Sequence, residues 1–66
     1  MHRYQVFYSE LPEGGAGFQP VFAVDAYEAR QIVERQHPGA VLASLDGELM
    51  DAITVRQLFL DWLGKV

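Results

Sequence analysis

Polar and apolar residues alternate in the first part of the chain, as they do in a half-buried β-strand. Between Arg3 and Ser9, large apolar residues recur at every second position: Tyr4, Val6 and Tyr8. This period of two predicts a first strand from Arg3 to Ser9. A loop-forming stretch from Leu11 to Gly17 follows, and a second strand is predicted from Phe18 to Val24. Pro20 places that strand at a sheet edge, because proline has no N–H to donate to a neighbour.

The spacing of the apolar residues changes to that of a helix after the second strand. Asp25 and Glu28 have the spacing of a capping box at a helix N-terminus. The positions that share one helical face are Ala26, Ala29, Ile32, Val33 and Gln36. Pro38-Gly39 ends this helix. A third strand is predicted from Ala40 to Leu45, since this run is apolar and of strand length.

The last third of the chain predicts a turn and a second helix. Asp46-Gly47 is a strong turn signal, and Glu48 to Met50 is interpreted as a brief fourth strand that returns from it. Thr54 and Gln57 have capping-box spacing, so a terminal helix is predicted from Val55 to Leu63, with Gly64 as its C-cap. The predicted fold is α+β, with a small, mainly antiparallel sheet and the order β-β-α-β-(β)-α. Residues 1–66 are predicted to form a single domain, because the chain is shorter than most domains.

Both faces of the predicted sheet carry apolar side chains. Phe7 points away from Val6, and Phe22 points away from Val21, whereas a small sheet under one helix normally leaves its second face polar. The terminal helix, a second copy of the chain or a partner protein could cover this second face. The terminal helix has an apolar arc of roughly 200°, about twice what one packing face requires. We therefore expect an interface that includes Phe22, Leu60 and Trp62.

The charge of the chain narrows the classes of partner. The net charge is −4, and the five basic residues are scattered along the sequence. Binding to nucleic acids or to anionic membranes needs clustered Lys and Arg, so neither is expected. The chain lacks the apolar segments of a secretion signal or a membrane span, which predicts a cytoplasmic location. The acidic charge suits a basic protein partner, or it serves solubility alone.

The residue types that carry catalysis or bind metals are few. Cysteine is absent, so neither a disulfide nor a thiolate metal site stabilises the fold, and a homodimer is an open alternative. His2 and His37 lack the spacing of metal ligands. Ser9 and Ser44 lie on predicted strands without a nucleophile motif. We expect no catalytic residue, no metal and no cofactor, and therefore a non-enzymatic protein.

Acidic residues are the main candidates for binding. Asp46, Glu48 and Asp51 stand close together and are too few for a calcium loop, so they form a polar turn or an acidic patch for a basic partner. Tyr27 lies on the outer side of the first helix with Arg30 and Glu34. An exposed tyrosine among polar residues is typical of an interface hot spot, although such a side chain can also lean on its own helix. The predicted binding residues are Tyr27, Glu34, Asp46, Glu48 and Asp51.

One segment carries a resemblance to known proteins. Its residues are Val21, Ala23, Asp25-Ala26, Glu28-Ala29-Arg30, Ile32-Val33-Glu34 and Pro38-Gly39-Ala40. This segment resembles the strand–helix–strand pattern of small acidic proteins of phages and mobile elements, of the anti-CRISPR type. The resemblance implies an inhibitor that presents acids to a basic nucleic-acid-binding partner. The main hypothesis is thus a protein–protein binding module, and the alternative is a homodimeric structural or accessory module of a bacterial assembly.

Overall fold

Three strands and two helices make up the fold in the computed structural model, which describes residues 1–47 and 51–66. In chain order they are β1 (His2–Ser9), β2 (Ala16–Ala23), α1 (Ala26–Gln36), β3 (Val41–Asp46) and α2 (Ala52–Leu63). This order and the antiparallel sheet confirm the predicted α+β class. The predicted fourth strand, Glu48 to Met50, lies outside the described residues.

The sheet has the order β2-β1-β3, and both strand pairs are antiparallel. The N–H of Gly47 donates to the carbonyl of Arg3 at 3.0 Å. Hydrogen-bonded pairs alternate along an antiparallel ladder, so Gln5 directs its backbone groups to β3 rather than to β2. Pro20 stands opposite Gln5. Its missing N–H therefore falls on the solvent side of β2, and the prediction that Pro20 marks an edge strand is confirmed.

The other edge of the sheet is β3, and it is built differently. The same alternation turns the N–H groups of Leu42 and Ser44 away from β1. The strand reads VLASLD, without the proline or lysine that protects many natural sheet edges. Within residues 1–47 and 51–66, no further strand pairs with β3. We call this side of the sheet the β3 edge.

The first face of the sheet packs against α1. The buried residues of this core are Val6, Val21, Ala23, Ala29 and Val33. The helix begins as predicted, because the Oδ1 atom of Asp25 accepts a hydrogen bond from the N–H of Glu28 at 2.8 Å. The carboxylate of Glu28 in turn accepts from the N–H of Val24 at 3.2 Å. The return bond therefore reaches one residue further back than in a standard capping box.

The second face of the sheet packs against α2. Phe7 is buried there, and its ring centroid lies 5.9 Å from Phe18, 5.4 Å from Phe59 and 5.7 Å from Trp62. Edge-to-face and tilted contacts of this kind are favourable for aromatic rings. A terminal helix, a second copy of the chain or a partner protein could cover this face, and the structure shows that the terminal helix covers it. The sheet is thus the middle of three layers, with apolar contacts on both sides.

The terminal helix starts earlier than the sequence pattern predicts. The prediction that Thr54 caps it is wrong: Asp51 is the N-cap, and its Oδ1 atom accepts from the N–H of Thr54 at 2.7 Å. Residues 52–54 therefore belong to the helix. The predicted end is correct, since Gly64 is the C-cap and its N–H bonds to the carbonyl of Leu60 at 3.2 Å. The extra first turn brings Ile53 onto the helix surface.

Candidate functional site

The two flanks of α2 face the two edges of the sheet. Leu58, Asp61 and Lys65 lie on the flank toward β3, because they line a groove together with Ala43 and Leu45 of that strand. Phe59, in the middle of the packed face, contacts Phe18 of β2, with ring centroids 5.1 Å apart. The flank opposite Leu58 is therefore the one on the β2 side.

An apolar surface lies on the β2 side of α2. Leu60 and Ile53 lie about 20° apart around the helix axis, on that flank. They are 53% and 75% exposed. Phe18 and Phe22 belong to the same sheet face as Phe7, and Phe22 is 65% exposed. We call Phe18, Phe22, Ile53 and Leu60 the α2–β2 patch.

Two arginines accompany the patch. Arg3 is the cross-strand partner of Phe22 and shares its face of the sheet. Arg56 is exposed and lies about 40° from Leu60 around the helix. Among the described residues, neither arginine forms an ion pair with a carboxylate. The patch therefore combines aromatic, aliphatic and guanidinium groups, which is the composition that protein interfaces favour.

Three residues predicted for an interface have different surroundings. Phe22 and Leu60 are exposed and belong to the α2–β2 patch. Trp62 is half-buried and packs against Phe7 and Phe59, so much of its ring serves the core. Its remaining surface lines the groove between α2 and β3, a cavity of about 220 Å³ whose walls are mainly apolar.

The predicted acidic site is divided among several elements. Tyr27 in the first turn of α1 is 64% exposed, and Asp46 ends β3. Asp51 caps α2 on the opposite face of the sheet from α1. Glu34 lies near the far end of α1, where its carboxylate accepts from the N–H of Gly39 at 3.2 Å. Glu48 lies outside the described residues.

Asp51 has a structural role besides its charge. The backbone N–H of Thr54 donates to its carboxylate and, together with the Thr54 hydroxyl, holds the pKa of Asp51 below its ordinary value. The carboxylate also lies at the N-terminus of α2, where a negative charge is favourable. Arg30, predicted to accompany Tyr27 on the outer side of α1, instead donates to the Oγ atom of Ser44 at 2.8 Å.

A polar cluster joins the hairpin loop to the end of α1. The Nδ1 atom of His37 lies 2.7 Å from the Oε1 atom of Glu10. The imidazole ring of His37 stacks on the phenol ring of Tyr8. A neighbouring cavity of about 220 Å³ is lined by Glu10, Glu13, Gly14, Pro38 and Gly39. In the part of the chain that the structure describes, no group of three or more His, Asp or Glu side chains could hold a metal ion.

The sequence pattern does not indicate Ile53, Arg3 or Arg56 as members of a site. The sequence pattern places Ile53 before the terminal helix, because it predicts Thr54 as the cap. With Asp51 as cap, the seven-residue spacing of Ile53 and Leu60 would have put both on one helix flank. Arg3 has no local signal, since its position beside Phe22 depends on the hairpin register.

Comparisons with known proteins add no relative. No protein-family model, no curated protein and no solved structure matches the chain. Neither helix described here has the length and apolar character needed to cross a membrane. The surfaces themselves are therefore the basis for a functional conclusion.

Proposed function

We propose that this chain is a protein-binding module whose contact surface is the α2–β2 patch. The observation that carries the proposal is the exposure of Phe22, Ile53 and Leu60 although both faces of the sheet already have a helix. These side chains are not buried in the core on either face of the sheet. Large apolar groups gathered on one side of a small protein mark interaction sites, because their burial is favourable only against another molecule.

The composition of the surroundings supports the same function. Arg3 and Arg56 add two cations without carboxylate partners among the described residues. Hot spots in interfaces are enriched in aromatic residues and arginine, which combine apolar contact area with directed hydrogen bonds. A non-enzymatic role is part of the proposal, and no described feature of the patch supplies a nucleophile beside a base.

A matched pair of variants tests this function. Phe22→Ser combined with Leu60→Ser removes apolar area from the patch, while Val41→Ser removes a similarly exposed apolar side chain from the β3 edge. Proteins captured from a lysate of the source organism would be quantified for the unmodified chain and both variants. We expect capture to be lost with the patch variant and retained with Val41→Ser. Equal capture by the patch variant and the unmodified chain would exclude the patch as the binding surface.

A homodimer is the second candidate function, and the β3 edge favours it. Two copies can join their β3 strands in antiparallel fashion about a two-fold axis, which would satisfy the outward N–H groups of Leu42 and Ser44. Sedimentation equilibrium of the unmodified chain distinguishes the two candidates. A dimer that Val41→Lys dissociates supports the second, because lysine on an edge strand opposes strand addition. A monomer across the accessible concentrations excludes it.

A further inference from the structure

The charge beside the α2–β2 patch has the opposite sign to the charge of the whole chain. The net charge of −4 suggests a basic partner. Arg3 and Arg56, however, place two cations beside the patch. The exposed or half-buried positions on the β2 flank of α2 and on the same face of β2 carry no acid: Ala16, Phe18, Pro20, Phe22, Ile53, Leu60 and Leu63.

Within the described residues, several acids lie on other elements, and the acid at the start of α2, Asp51, is engaged as the N-cap of that helix. Glu10 and Glu13 are in the hairpin loop, and Glu34 is engaged at the end of α1. Asp61 lies on the other flank of α2, in the groove beside β3. The patch is thus apolar and has two arginines beside it, on a protein that is acidic overall.

On this basis we infer that the α2–β2 patch binds an acidic, apolar segment of a partner protein. The inference rests on the proposed function and adds the chemistry of the partner. Large apolar side chains of the segment pack on Phe22, Ile53 and Leu60, and carboxylates beside them pair with Arg3 and Arg56. Arginine suits this role, because its guanidinium binds a carboxylate through two parallel hydrogen bonds. The net negative charge of the chain repels acidic segments that miss the two arginines, so the segment must fit the patch.

Selection from a display library of random linear peptides tests the inference with a defined probe. We expect the peptides that bind the full chain to combine large apolar residues with Asp or Glu, and their affinity to fall as salt is added. Arg56→Glu should weaken their binding at least about tenfold, because it places like charges across a contact. Arg35→Glu is the matched control: it makes the same charge change at an exposed position in the last turn of α1.

The outcomes separate this inference from the function on which it rests. Selected peptides that lose binding with Leu60→Ser but lack an excess of acids, or that respond equally to Arg56→Glu and Arg35→Glu, would overturn the acidic partner and leave the binding module standing. If no selected peptide loses binding with Leu60→Ser, the binding module itself fails at this patch. A dimer of the unmodified chain that Leu60→Ser dissociates would make a second copy the occupant, and the inference would then be wrong.

Discussion

The imidazole ring of His37 lies face to face with the phenol ring of Tyr8, with ring centroids 3.9 Å apart and an angle of 14° between the planes. The contact joins the end of α1 to the central strand of the sheet. Glu10 holds the imidazole from the loop side through its carboxylate, 2.7 Å from Nδ1. The Tyr8 side chain also lies over Gly17, its cross-strand partner. The Tyr8 ring therefore lies between His37 and Gly17, and Glu10 contacts the imidazole that stacks on it.

Gly17 should be a position where any side chain is costly. A Cβ atom there would lie 2.7 Å from the Tyr8 hydroxyl and 3.0 Å from the ring carbon that carries it. Because His37 stacks on the same ring, Tyr8 has little room to move. We expect Gly17→Ala to lower the free energy of unfolding by about 1–3 kcal/mol. Gly15→Ala is the control in urea denaturation, since its Cβ would meet nothing within 4 Å; equal effects of the two would contradict the packing argument.

The Asp25 cap should contribute measurably to the stability of α1. Its carboxylate accepts from the N–H of Glu28, which otherwise has no partner inside the helix. We expect Asp25→Ala to cost about 1 kcal/mol and to lower the melting temperature by several degrees. Asp25→Asn keeps a capping oxygen and should melt close to the unmodified chain. An unchanged melting temperature in Asp25→Ala would mean that this hydrogen bond contributes nothing.

Phe59 and Leu60 are adjacent in sequence and should respond in opposite ways to substitution. Phe59 is 8% exposed and contacts Phe7, Phe18 and Trp62, so Phe59→Ala should lower stability by roughly 3 kcal/mol or more. Leu60 points to solvent, and Leu60→Glu should leave the chain folded with nearly unchanged thermal melting. If Leu60→Glu unfolds the chain as severely as Phe59→Ala, then Leu60 belongs to the core and the α2–β2 patch does not exist.

The cap of α2 should make stability depend on pH in the acid range. The hydrogen bond from Thr54 lowers the pKa of Asp51 in the folded chain below its ordinary value of 3.8. A lowered carboxyl pKa stabilises the fold above the ordinary value, and this contribution is lost as pH falls through 3.8 and then through the lowered value. The free energy of unfolding, measured by urea denaturation in this range, should fall more steeply with decreasing pH for the unmodified chain than for Asp51→Asn. Asp61→Asn, at an exposed acid of the same helix, is the control and should keep the steeper loss.

Binding to DNA or RNA should be absent at physiological salt. The net charge is −4, and the basic residues do not form the cluster that releases counterions from phosphates. Arg3 and Arg56 are two cations beside an apolar patch, which is too few for such binding. A mobility-shift titration with double-stranded and single-stranded oligonucleotides measures this directly. Micromolar affinity in either series would contradict the prediction and reopen nucleic acid as a ligand class.

The sequence pattern predicts the order of the described elements because most of them have a strong local signal, although β2 begins at Ala16, inside the stretch predicted as a loop. Local signals determine the structure within a few residues of their own position. Examples are the alternation in β1, the capping residues of α1 and the proline of β2. The start of α2 differs from the predicted start for a local reason too. Asp51 and Thr54 are both good capping residues, and the pairing of Thr54 with Gln57 pointed to the later start. The longer helix uses Asp51 to bond the N–H of Thr54 instead.

The candidate site could be predicted only in part. The excess apolar arc of the terminal helix and the two-sided strands indicated unused apolar surface, and Phe22 and Leu60 are exposed in the structure. The neighbouring arginines could not be predicted. Arg3, for example, lies opposite Phe22 only because of the register in which β1 and β2 pair. The contact of His37 with Glu10 and Tyr8 likewise joins residues that are far apart in the chain and carry no mutual signal.

The contrast between the two sheet edges limits how copies of this chain can assemble. A fibril grows when each added strand exposes a fresh edge that accepts the next one. Here two copies joined through their β3 edges would leave only β2 outermost on both sides, where Pro20 interrupts the row of donors. Strand addition would therefore stop after one step. The proline on one edge makes the fold resistant to propagation, although no strand of the described residues pairs with the other edge.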